Sequence, residues 1–236
     1  MLTTLRDAPA SRLVLTALLA CIALLLLASV TANVLALEFD LYGVPWVGGM
    51  VRMLNVNEER NVPSWFSSDL LAGAGVVALM AAALSIKHGA PWRFQWATIG
   101  LLFFLLSLDE TASFHEMASA PVRNALGIGG ILYFAWVIPG AAFVLLLAVI
   151  FLPFVLALPR GVRLWVIVSA GTFVAGALGF ETLGSLERQH DGTIQTFAYM
   201  ALSTCEEGLE MVGVALFIAA VLRYIELTFP LGKTAS

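Results

Sequence analysis

Six stretches of this chain are long and apolar enough to cross a bilayer, which leaves few folds open to it. Hydrocarbon offers no water to backbone N–H and C=O groups, so a crossing segment has to satisfy them within regular secondary structure. A spanning helix takes about 20 apolar residues, and such runs lie at about 13–37, 65–86, 95–117, 131–157, 164–183 and 196–222. Composition agrees, because 60% of the 236 residues are hydrophobic and 12% are charged, against about 25% charged in soluble domains. The expected fold is all-α: a polytopic membrane bundle of six transmembrane helices forming a single transmembrane domain over 1–236, with an outer loop at 38–64.

Arg6 and Arg12 before the first run resemble the start of a secretory signal. The apolar core from Leu13 to Leu37 is longer than the roughly 7 to 15 residues of a signal h-region, so an uncleaved first span is expected. Basic residues set the orientation, since short cytoplasmic loops are enriched in Lys and Arg. With both termini cytoplasmic, Arg6, Arg12, Lys87, Arg93, Arg160, Arg163, Arg223 and Lys233 lie inside, and Arg52, Arg60, Arg123 and Arg188 outside. Trp46 and Trp65 then fall at the outer interface, and Trp92, Trp96, Trp165 and Tyr224 at the inner one. The partner implied is the lipid bilayer. No basic tract for nucleic acid is present, and Cys21 and Cys205 sit in different spans, which argues against a disulfide.

In the outer loop, "FDLYGVPWVGGMVRML" is apolar enough to form a short helix in the interface, and Asn61 with Pro63 reads as a helix start. Pro139-Gly140 predicts a kink in the fourth span. Gly171, Ala175 and Gly179 predict a small-residue packing face on the fifth.

The acids carry the chemistry. A charge at the centre of a membrane helix costs about 2.5 to 3.5 kcal/mol even on lenient scales, so such residues face the bundle interior. Asp109, Glu110 and Glu116 lie in the third span, Glu181 in the fifth, and Glu206, Glu207 and Glu210 in the sixth. At about 100° per residue, Asp109 and Glu116 are about 20° apart with Ser113 between them, while Glu110 and His115 lie about 100° and 120° to either side. Ser203, Glu206, Glu207 and Glu210 share an arc of the sixth helix, and Glu181, Ser185 and Arg188 align on the fifth. His115 and Arg188, with Arg123 or His190 as further candidates, are the nearby groups that could offset so many carboxylates, and acids a few ångströms apart do not all ionise.

Three readings follow. In the first, Asp109, Glu116, Glu206 and Glu210 bind a divalent metal or metal pair (iron, manganese, zinc or calcium), with Glu110, Glu181 and Glu207 as further ligands or proton carriers. His115, Arg188, Ser113 and Ser203 then form the surround. The acid stretches "FHE" and "EEGLE" do not carry the Glu-x-x-His pattern of di-iron bundles. In the second, the same acids form a proton-coupled path for a cation or small solute. In the third, protonated acids hold a structural membrane subunit in register.

The stretches "NVPSWFSS", "FLLSLDETASFHE" and "EEGLEMVGVALF" together resemble a group of uncharacterised bacterial multi-pass membrane proteins carrying an SLDE…HE helix and an EE…E helix. The resemblance implies a bacterial cytoplasmic (inner) membrane location and brings no activity with it.

Overall fold

A computed structural model describes residues 9–191 and 196–229; the side chains of 188–191 lie outside the description, and with them the parts expected of Arg188 and His190. Among the described residues all regular structure is helical. The elements are α1 (Ala10–Glu38), α2 (Val47–Leu54), α3 (Val62–Lys87), α4 (Arg93–Ala112), α5 (Phe114–Leu126), α6 (Val137–Ala157), α7 (Arg160–Val174), α8 (Glu181–Asp191) and α9 (Phe197–Thr228). A π-turn over Ala175–Phe180 joins α7 to α8 without a break. Five of these segments are long and apolar enough to cross a membrane (α1, α3, α6, α7 with α8, and α9), and a sixth appears if α4 and α5 are counted as one bent span.

The 32 residues of α9 make it about 48 Å long at 1.5 Å per residue. It packs against α1, α3, α7, α8 and the π-turn, so its apolar half is the core of the bundle. Met211, Val214, Phe217, Ile218 and Val221 are buried there with Ile22, Leu70, Phe154 and Val162. Close approach is made possible by glycine. A Cβ on Gly213 would stand 2.8 Å from the Phe173 nitrogen, and one on Gly176 would stand 2.7 Å from the Glu206 carbonyl oxygen. These two positions, rather than Gly171, Ala175 and Gly179, form the small-residue contact. Gly171 and Gly179 face open space and Ala175 is exposed. The π-turn shifts the residues after Val174 off the straight-helix spacing, which separates Gly179 from the line of Gly171 and sets Gly176 against α9.

Three further expectations change. Pro139 is the third residue of α6, in the first turn where helical N–H groups have no partner anyway, so no kink follows there. Trp96 and Tyr224 are core residues, with ring centroids 4.9 Å apart, rather than members of an interfacial belt. The third span does not run straight to residue 117: it ends at Ala112, and α5 leaves at 78° to α4.

At the opposite end from the acids, the Ser11 backbone N–H and hydroxyl both donate to the Glu226 carboxylate, at 2.9 and 3.0 Å. The first and last described helices therefore meet, and their outer ends lie on the same side of the bundle.

Candidate functional site: an acid-lined cavity at the helix break

The cavity is built where three helices end or break. Ser113 adopts a left-handed backbone (φ 56°), stopping α4 and starting α5. Asp109, one turn back, takes up the exposed start of the new helix by accepting the His115 backbone N–H at 3.1 Å. The same carboxylate meets the His115 ring at Nδ1, 2.7 Å away. The Ser113 hydroxyl, freed from the helix surface, donates to Glu59 of the connection before α3.

That connection is fixed from below. The Val56 N–H donates to the Ser29 hydroxyl of α1 at 3.1 Å. Asn61 caps α3 by accepting the Ser64 N–H at 3.0 Å, and its own amide donates to the Asn55 and Arg52 carbonyls. The connection between α1 and α3 is thus a structured crown holding Glu58 and Glu59 over the bundle.

The far wall comes from the segment before α6. The Trp136 indole N–H donates to Glu181 at 2.9 Å, and its ring lies 4.9 Å from the His115 ring. The Ser185 hydroxyl accepts the Phe134 N–H at 3.2 Å. The stripe of Glu181 and Ser185 expected on the fifth span therefore does face inward, where it seats residues 134–136. On the floor, Glu206 lies beside Glu181, and Ser67 of α3 lies beside Glu110.

These groups enclose a cavity of about 230 Å³ lined by Glu58, Glu59, Glu110, Glu116, Glu181, Glu206 and Glu207, with His115 as the one basic side chain among the described residues and Phe134 and Tyr199 among its walls. It opens beside the crown. Glu59 lies outside the membrane-spanning segments, and burial at the cavity mouth, reinforced by Glu116, holds its carboxyl above the ordinary glutamate range.

Six of the expected residues line the cavity: Glu110, His115, Glu116, Glu181, Glu206 and Glu207. Asp109 stands behind His115 instead of sharing a face with Glu116, and Glu116 is exposed, because the face computed for a continuous helix ends at Ser113. Glu210 is absent from the lining: its Cγ packs against Gly176, and its carboxyl lies behind the cavity wall near Glu110 and Glu181. Ser203 lines a separate gap of about 40 Å³ with Asn33, Tyr42 and Thr196. Among the described residues no three His, Cys, Asp or Glu side chains converge as a metal shell. The sequence reading missed Glu58, Glu59, Trp136, Phe134 and Tyr199. The string "NEER" beside the helix start at Asn61 was the available signal for the two crown acids.

No curated protein and no solved structure shows significant similarity to the chain. The model of a domain of unknown function, DUF8692, matches residues 12–225, and the chain belongs to that family.

Proposed function

We propose that this protein takes a cation into the acid-lined cavity and releases protons as it does so. One observation carries the reading: among the described residues, seven carboxylates and a single imidazole line one cavity of about 230 Å³. Like charges at such spacing stay together only when protons or another cation supply the missing positive charge. The volume exceeds what a bare ion needs, since one water occupies about 30 Å³. A hydrated ion or a small organic ammonium fits it as it stands. A divalent metal (iron, manganese, zinc or calcium) would be bound by the same acids after they draw together.

The setting is a bacterial cytoplasmic membrane with both termini on the cytoplasmic side, supported by the eight basic residues on that side against four on the other. Six crossings are supported by parity. Ser11 and Glu226 meet at one end of the bundle, which needs an even number of passes and so counts α4 as a crossing. The cavity then faces outward.

The test is proton release from protein in lipid nanodiscs in weakly buffered solution on adding Mn²⁺, Zn²⁺, Ca²⁺ or a primary alkylammonium ion. Saturable release that falls in a Glu206→Gln, Glu207→Gln variant supports the reading. Folded protein that neither binds any of these cations nor releases protons overturns it.

A further inference from the structure

We infer that α2 is an in-plane membrane helix whose Trp46–Met50–Met53 edge is immersed in the lipid leaflet on the cavity side, mooring the crown that carries Glu58 and Glu59. The residues divide by angle. Within α2, Met50 and Met53 lie about 60° apart at about 100° per residue, and Trp46 (φ 72°) stands at the helix start; Met50, Met53 and Trp46 are 68%, 48% and 90% exposed. Val51 and Gly48 lie on the side turned to the protein and are buried, Val51 at 5%. Gly48 is required there, because a Cβ would stand 2.3 Å from the Tyr42 carbonyl oxygen. Arg52 lies about 100° from Met53 on one side and about 100° from Val51 on the other, between the open and the protein-facing sides, and is exposed.

A helix with one face on protein, one apolar and open, and one cationic has the layout of an interfacial helix. Lipid is the occupant because the patch continues a lipid-facing surface. Leu24, Leu27 and Leu35 line the open side of the spanning helix α1, and Phe39, Val44 and Trp46 prolong that exposed apolar surface along the chain into α2. Trp at the boundary and Arg on the wet side are the residue types that favour the headgroup region. The crown is tied to α1 through Val56 on Ser29 and to α3 through Asn61, so a moored α2 would hold Glu58 and Glu59 at a fixed height over the cavity.

The experiment uses the full chain in nanodiscs, with Cys21→Ser and Cys205→Ser, and one new cysteine at Met50→Cys or Arg52→Cys carrying a fluorophore. Lipids bear nitroxides near the headgroup or deep in the acyl chain. Loss of fluorescence at position 50 with the shallow nitroxide, little loss with the deep one, and none at position 52 supports the inference. Equal quenching at both positions, or none at 50, overturns it. So does a disulfide between two copies through Met50→Cys under oxidation, which would make this face a subunit contact. Both positions are exposed, so neither substitution disturbs packing. The outcome is independent of whether the cavity binds a cation.

Discussion

Trp136 connects the imidazole and the floor acids: its ring lies against His115 and its N–H is spent on Glu181. A hydrogen bond to a charged acceptor is worth about 1.5 to 3 kcal/mol, so Trp136→Phe, which keeps a ring and loses the donor, is expected to weaken cation uptake about tenfold or more in a titration. Trp136→Tyr is a useful companion, since its hydroxyl lies elsewhere and does not replace the lost donor. Glu59 gives a pH signature. Its carboxyl titrates above the ordinary range because of burial and Glu116, so the folded state holds that proton more tightly than the unfolded chain. The resulting stability is full below the unfolded value and lost as pH rises through the raised one. Thermal unfolding at stepped pH should show a decline over that window in the wild type that Glu59→Gln flattens. An unchanged decline in the variant would assign it to other groups. At this scale the sequence was informative about residue type and poor about direction: a single positive φ at Ser113 was enough to separate Asp109 from Glu116.

Helix breaks and junctions place these residues. Gly176 lies in the π-turn against α9, with the Glu206 carbonyl at 2.7 Å and Glu210 Cγ at 3.0 Å from where a Cβ would be. Overpacking of this kind costs about 1 to 3 kcal/mol. Gly176→Ala should therefore lower the melting temperature and push Glu206 off Glu181, whereas Gly179→Ala, which meets nothing within 4 Å, should do neither. Loss of a helix cap costs about 0.5 to 2 kcal/mol, and Asn61 also ties down Asn55 and Arg52. Asn61→Ala is accordingly expected to expose the crown to limited proteolysis before the bundle melts. Hydropathy located the spans because length and apolarity are sums over many residues. Capping at Asn61 was legible for the same local reason that makes the motif work. The bend at 113 and the π-turn were not, because each depends on what the helix meets in three dimensions.

For the whole molecule, meeting of Ser11 and Glu226 has a direct test: topology reporters fused before Ser11 and after Glu226 should report the same side of the membrane. Reporters on opposite sides would remove the basis for six crossings. The order of synthesis adds something the finished bundle conceals. α9 is the element against which α1, α3 and α7 are packed, yet it leaves the ribosome after all of them. Until it arrives, the earlier helices have no common centre, and Glu110 and Glu181 lack the wall that will enclose them. During that interval α1 and α7 wait in lipid, or beside an insertion partner, while α3 and α4 can already pair with each other. Biogenesis is therefore the step at which the chain is most exposed to quality control, and a defect in its final helix would register as failed delivery before any loss of activity could be measured.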